Sequence, residues 1–192
     1  MDHEEIRQHT EEMEWIRRHE ADELVEALME QYGSDLKKLA FSYVKDWGKA
    51  EDISQDVFVI CYKKIKMFRG DSALKTWLYR ITVNRCKDWM KSWPFRHIRV
   101  GWPKFMREKV GISPSPEGEF LRRNENQLLA DKVMALPLKY KEVIVLHYYS
   151  GLKSEEIGES LGQNVKTVRT RLRRARGLLR KMYEEEAEGN GR

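Results

Sequence analysis

The sequence predicts an all-α chain of two small helical domains joined by a flexible linker, the second containing a helix-turn-helix. Three observations lead there. Apolar residues recur at steps of three and four, the helical period, and not at the alternation of strands. Four of the five prolines, Pro94, Pro103, Pro114 and Pro116, cluster with Gly101, Gly111 and Gly118, which marks a connection between two helical blocks. Near the C-terminus, "SEEIGESLGQNVKTVRTRLRRARGLLRKM" sets an acidic helix start, a glycine turn and a basic run in succession.

The expected division is an N-terminal extension (1–19), a first domain (20–91), the linker (92–120), a second domain (121–183) and an acidic tail (184–192). The proline-rich part, 92–118, could extend to roughly 90 Å, enough to hold the two blocks more than two duplex turns apart. Residues 1–19 carry no motif.

In the first block, Leu24, Leu28, Tyr32, Leu36, Leu39 and Tyr43 form one helical stripe, and Ile53, Val57, Ile60 and Lys64 mark a second helix. A break follows at "RGDS", Arg69 to Ser72. Beyond it, Leu74, Trp77, Leu78, Ile81, Arg85 and Trp89 describe a third helix, buried along one side and basic on the other. The second block is expected to begin near Asn124, to run through Leu128, Leu129 and Val133, and to be cut by Pro137. "LKYKEVIVLHYY" then makes a helix ending at Ser150 and Gly151, with His147 as a core histidine.

Composition narrows the partners. A chain of 192 residues with 41% apolar content can build compact cores. No run approaches the ~20 apolar residues of a membrane span, and the N-terminus lacks the apolar centre of a signal peptide, so a cytoplasmic protein is expected. Cys61 and Cys86 suit buried reduced thiols, and neither a metal nor another cofactor is expected. The net charge of +5 is modest but unevenly spread. Residues 91–109 are basic, and 166–181 almost purely so, the footprint of a polyanion binder.

Within the C-terminal stretch, Ser154 is placed as N-cap, with Glu155 and Glu156 in the first turn where the helix dipole favours them. Gly158 leaves room for a second helix, Gly162 permits the turn, and Asn164 caps the next helix. There Val165, Val168, Leu172, Ala175, Leu179 and Met182 form an apolar seam. Lys166, Thr170, Arg173 and Arg174 point away from it, Arg169 and Arg176 flank one edge, and Arg171 the other. Arginine and lysine can pair with guanine edges, threonine can meet a thymine methyl, and flanking arginines can hold phosphates. Two packed helices with a solvated basic face are the plainer alternative.

Leu136 to Arg176, "LPLKYKEVIVLHYYSGLKSEEIGESLGQNVKTVRTRLRRAR", resembles the promoter-binding C-terminal domain of bacterial sigma factors of the extracytoplasmic function type, in the sigma-70 superfamily. "AEDISQDVF" (Ala50 to Phe58) and "FRGDSALKTWLYRITVNRCKDWMK" (Phe68 to Lys91) are similar to that family's N-terminal domain. The resemblance implies a dissociable initiation subunit that performs no covalent chemistry and takes no small-molecule substrate. Its partners would be core RNA polymerase, promoter DNA and an anti-sigma factor, often membrane-anchored. The upstream promoter element would fall to Asn164, Lys166, Thr167, Arg169, Thr170, Arg171, Arg173 and Arg174. Downstream recognition and melting would fall to Phe68, Arg69, Gly70, Asp71, Ser72, Lys75, Trp77 and Arg80, continued along the helix by Asn84, Arg85, Asp88 and Lys91. Polymerase binding would fall to Asp52, Gln55, Asp56 and Phe58, although a solvated acidic face also explains Asp52 and Asp56. Departures from the family pattern at Gln163, Asn164 and Lys166 bear on which promoter is read, and those at Leu74 and Lys91 on base contacts near the melted strand.

In "FRGDSALKTW", Gly70 allows unusual backbone conformations, Ser72 can cap the next helix, and Phe68 and Trp77 offer flat faces beside Arg69, Lys75 and Arg80. That suits an unstacked base; an interhelical loop with two core aromatics is the other account. Two other functions compete with this one. A metal-dependent nuclease using Glu51, Asp52, Asp56, Asp71 or Asp88 lacks the convergent carboxylates such chemistry needs. A stand-alone helix-turn-helix repressor or activator fits poorly with the basic "NRCKDWMK" helix of the first block.

Overall fold

The computed structural model describes residues 3–92 and 128–189. The proline-rich linker and the expected start near Asn124 lie outside the described residues. Helix α1 (His3–Arg18) precedes α2 (Ala21–Val44), α3 (Trp47–Lys64) and α4 (Leu74–Ser92) of the first block. The second block holds α5 (128–135), α6 (Leu138–Ile144), a π-helical turn (Val145–Tyr149), α7 (Ser154–Leu161) and α8 (Val165–Gly189). Among the described residues there is no strand.

The stripe on α2 forms the first wall of the core: Leu24, Leu28, Leu36, Leu39 and Tyr43 are buried, with Tyr32 at its edge. α2 opens on Glu20, whose backbone N–H donates to Glu23 Oε2 at 3.2 Å, a carboxylate at the positive end of the helix. It ends where Lys45 turns left-handed (φ 56°) and returns its N–H to Phe41 O. Asp46 then starts α3 by accepting from the Lys49 N–H at 2.8 Å. Trp47 stacks on Phe41 at 4.2 Å and closes the corner.

On α3, Ile53 and Val57 are buried, Ile60 is half-buried and Lys64 is exposed. Cys61 and Cys86 are free and buried, and desolvation pushes both thiols up to about 12, so both stay protonated at neutral pH. The stripe expected on α4 is only partly right. Trp77, Ile81, Arg85 and Trp89 are half-buried, whereas Leu74, Leu78, Tyr79, Thr82, Val83 and Cys86 are enclosed. The reason is that α4 packs against α2 and α3 on one side and α7 on another, so a single-stripe reading finds only part of its buried surface.

The second block follows its punctuation. Pro137 separates α5 from α6, and Val133, Val143, Leu146, Ile157, Val168, Leu172 and Ala175 fill the interior. Leu129 is exposed. The helix after Pro137 loosens at its end, where the Ser150 N–H reaches back five residues to Val145 O, and half-buried His147 shares a hydrogen bond with Leu152 O at 2.9 Å. α7 begins one residue earlier than Ser154 as N-cap would give: Lys153 is the cap residue, and its N–H donates to Glu156 Oε2 at 2.6 Å.

The two blocks meet along a polar seam. Thr76 Oγ1 donates to Glu156 Oε1 at 3.3 Å, Ser160 Oγ to Thr76 O at 3.4 Å, and Lys75 Nζ to Ser150 O at 2.7 Å. Glu142, 4% exposed, takes the Tyr43 hydroxyl at 3.3 Å and the Arg171 guanidinium at 2.9 Å, with Lys87 Nζ at 3.7 Å. Burial, then the neighbouring Glu142 carboxylate, raise the Tyr43 phenol well above its ordinary value.

Beside this hub, burial followed by the nearby Lys45 charge pushes the Lys141 ammonium down to about 8. Between about pH 8 and the ordinary lysine value of about 10.4, the folded chain therefore binds fewer protons than the unfolded one, and stability contributed by this group rises with pH. Lys141→Met should raise unfolding free energy at pH 7 by about 1–2 kcal/mol. Urea titrations of both proteins across that range should show the advantage constant below about pH 8 and shrinking above it.

Candidate nucleic-acid interface

The turn between α7 and α8 is built by glycine and by backbone return bonds. Gly162 is left-handed (φ 65°) and the Gln163 N–H donates to Gly158 O at 2.7 Å. A Cβ on Gly158 would lie 2.8 Å from Gln163 O, so this close approach needs glycine. Asn164 Oδ1 then accepts from the Lys166 N–H at 2.8 Å and opens α8. This is a helix-turn-helix with its apolar seam inward: Val168, Leu172 and Ala175 are buried, and Val165, Leu179 and Met182 partly so.

On the outward side Asn164, Lys166, Thr167, Arg169, Arg173 and Arg174 are exposed and Thr170 half-buried, its hydroxyl donating to Lys166 O at 2.8 Å. Arg169 pairs with Glu155 Oε1 at 2.6 Å. A hydrogen bond from its own backbone N–H, then the Arg169 guanidinium, hold the Glu155 carboxyl below its usual range. Arg171 turns inward to Glu142, and so serves the fold as well as the surface. Lys166, Thr167, Thr170, Arg171 and Arg174 converge on a shallow groove of about 400 Å³, which Lys139 and Tyr140 complete. Those last two were missed in the sequence, although Pro137 fixes where α6 starts and both lie in its first turn.

A second surface forms where α3 runs through a 3-10 turn (Ile65–Met67) into the loop before α4. Gly70 is left-handed there (φ 77°). The rings of Phe68 and Trp77 lie 5.3 Å apart at 54°. With Arg69, Asp71, Ser72 and Arg80 they line a recess of about 210 Å³, joined by Lys64 and Met67, which the sequence did not single out. Ser72 does not cap α4, because Ala73 holds the cap position; the Leu74 N–H donates instead to Glu12 Oε2 at 3.1 Å. The Ser72 hydroxyl is left buried at the recess without a hydrogen-bond partner.

Steps of three and four place Arg80, Asn84, Asp88 and Lys91 on the same α4 face as Trp77, leading away from the recess. Asn84, Asp88 and Lys91 are exposed, the last two 3.5 Å apart as an ion pair. The structure does not bring Lys75 or Arg85 onto that face: Lys75 is bound to Ser150 O, and Arg85 donates to Asp56 at 2.5 Å. Asp52, Gln55 and Asp56 are exposed on α3, with Asp52 accepting from Lys49 at 2.8 Å. Phe58, which the family motif places in the expected polymerase-binding set, does not share their exposure. It is buried, because its position on α3 faces α2, where its ring lies against Gly33.

Comparisons with known proteins agree in both halves. Residues 28–93 match the Sigma-70 region 2 family and residues 126–179 the Sigma-70, region 4 family. RNA polymerase sigma factor SigV of Bacillus subtilis is 31% identical over 151 residues, covering 76% of this chain and 82% of that protein. The ECF RNA polymerase sigma-E factor of Haemophilus influenzae is 31% identical over 158 residues, covering 79% and 83%. Among solved structures, CnrH in complex with the cytosolic domain of CnrY is similar in fold (TM-score 0.64, 22% identity, 93% of this chain and 97% of that one). So is the sigma factor RpoE in complex with the anti-sigma factor NepR from Bartonella quintana (TM-score 0.61, 24% identity, 83% and 96%).

Two helical glycines, Gly158 buried at the turn and Gly177 exposed on α8, make a contrasting pair. Gly158→Ala forces a Cβ against a backbone carbonyl, a crowding that costs about 1–3 kcal/mol, of which the better helix propensity of alanine returns up to about 1 kcal/mol. Gly177 has open space around its missing Cβ, so Gly177→Ala should stabilise by about 0.5–1 kcal/mol. Thermal unfolding of both variants should move in opposite directions, with duplex affinity falling only for Gly158→Ala.

Proposed function

The chain belongs to the sigma-70 family of RNA polymerase sigma factors, of the extracytoplasmic function type, and we propose that it divides promoter recognition between the two surfaces described above. It is an initiation factor and not an enzyme. The groove along α8 reads the upstream element as duplex, with Lys166, Thr170 and Arg174 toward base edges and Arg169 and Arg173 toward phosphates. The recess before α4 receives an unstacked base of the downstream element, and the α4 strip of Arg80, Asn84 and Lys91 follows the strand beyond it.

What carries this reading is the recess itself: two aromatic faces, the cations Arg69 and Arg80, and a buried Ser72 hydroxyl with no partner of its own. Extruding a base costs a few kcal/mol, which stacking and edge hydrogen bonds must offset. An aromatic-lined recess with an unsatisfied hydroxyl supplies both kinds of contact.

Core polymerase is the obligate partner of such a factor, and the exposed acids Asp52 and Asp56 with Gln55 are the surface proposed for it. Two structural neighbours were solved bound to a second protein, in one case an anti-sigma factor; an anti-sigma partner is proposed for this chain as well. Among the described residues no helix is long and apolar enough to cross a membrane. A protein that works on polymerase at promoters acts in the cytoplasm, so a membrane link would be the partner's.

Replacing Arg69, Asp71 or Ser72 with Ala should slow open-complex formation on duplex promoter while leaving polymerase binding intact. On a promoter pre-opened by mismatches, only the melting part of the defect should recover, because the captured base still needs its recess. Permanganate footprinting of downstream thymines measures this. Reactivity appearing at wild-type rates in all three variants would reduce the loop to a connector.

A further inference from the structure

Helix α1 was silent in the sequence, yet it touches the recess-forming loop at its entry, apex and exit. At the entry, Lys66 Nζ donates to Ile16 O at 3.1 Å and also to His19 O. A cation thereby meets the carbonyl end of α1, where the helix dipole favours it. At the apex, a Cβ on Gly70 would stand 2.7 Å from His9 Nε2 and 3.0 Å from Met13 Sδ, so α1 is pressed against the loop backbone. At the exit, Glu12 Oε2 holds the Leu74 N–H, the first of α4. Ile16 is buried and Met13 and Trp15 pack on the core, so these contacts sit on an anchored helix.

The recess remains open with α1 in place. Among the described residues none of those lining it belongs to α1, so the helix backs the loop and does not fill the cavity. The hydrogen bonding explains the orphaned hydroxyl as well. A serine two residues before an N–H can accept from it in a local turn; here Glu12 holds the Leu74 N–H, and Ser72 is left to the recess.

We propose that α1 is a brace that holds the loop in its capturing shape, with Glu12 as its positioning residue. The proposal rests on the recess being the base-capturing site. Its physical content is preorganisation of one group: with the Leu74 N–H held by Glu12, the Ser72 hydroxyl stands ready at the recess and need not be released from a local bond when a ligand enters. Without the Glu12 carboxylate, the Leu74 N–H would recruit the nearest serine, and Ser72 would be withdrawn from the cavity.

The test measures open-complex formation with core polymerase on duplex promoter by permanganate reactivity, using full-length variants. Glu12→Ala leaves Ile16 and Trp15 to keep α1 docked, and should slow opening about fivefold, the equilibrium weight of a lost cap. Glu12→Gln, whose amide oxygen still accepts from the Leu74 N–H, should open at nearly the wild-type rate. Glu12→Ala combined with Ser72→Ala should be no slower than Ser72→Ala alone, since both act through one hydroxyl. A wild-type rate for Glu12→Ala beside a slow Ser72→Ala would overturn the brace and leave the capture site standing. Faster opening in Glu12→Ala would make α1 a lid, and multiplicative slowing in the double variant would place Glu12 in some other role; either outcome overturns the proposal. Should Ser72→Ala and Arg69→Ala both open at the wild-type rate, the capture site fails and the brace falls with it.

Discussion

The Glu142 carboxylate is the point on which the arrangement of the helices turns. A buried carboxylate left alone is strongly destabilising, so its partners must arrive together. They come from four helices: Glu142 from α6, Tyr43 from α2, Lys87 from α4 and Arg171 from α8. Fixing Arg171 inward sets the rotation of α8 about its axis, and that rotation decides which side chains remain outward. With Arg171 tied to Glu142 and the apolar Val168, Leu172 and Ala175 inward, Lys166, Arg173 and Arg174 face solvent. α4 is held similarly, between the first block and α7, so only a narrow strip of it stays open, and that strip runs from the recess through Asn84 to Lys91.

The buried apolar residues of the two blocks form one continuous core, from Leu24, Leu28, Val57, Leu78 and Val83 in the first to Leu146, Ile157 and Val168 in the second. Across the seam, the buried Thr76, Ser150 and Ser160 exchange hydrogen bonds with Lys75, Glu156 and one another, and leaving such groups unpaired would be costly. The α8 groove and the α4 recess both stay open while the blocks touch. A factor that reads two promoter elements needs two surfaces which do not obstruct each other, and the chain has them on separate elements.

Local chemistry was legible in the sequence and distant chemistry was not. The α2 stripe, the proline before α6, the glycine turn and the α8 seam are each written in neighbouring residues, and each forms where its period or turn residue puts it. α4 was half read because periodicity reports one buried face and α4 has two. Phe58 was grouped by motif with the exposed Asp52, Gln55 and Asp56, but it is buried, its ring against Gly33 of α2. The least legible features depend on contacts many residues apart. Glu12 lies 62 positions from Leu74, and Glu142 lies 99 from Tyr43. No propensity or spacing announces such a pair. The same applies to Ser72, whose hydroxyl is free only because a residue from another helix took its place.

The most direct measurement is transcription by core polymerase from a randomised promoter library, with and without this chain. The account predicts transcripts only with the chain, from promoters enriched in two sequence blocks at a set spacing, one far upstream and one at the edge of the melted region. Enrichment of a single block, or the same transcripts from core polymerase alone, would contradict it.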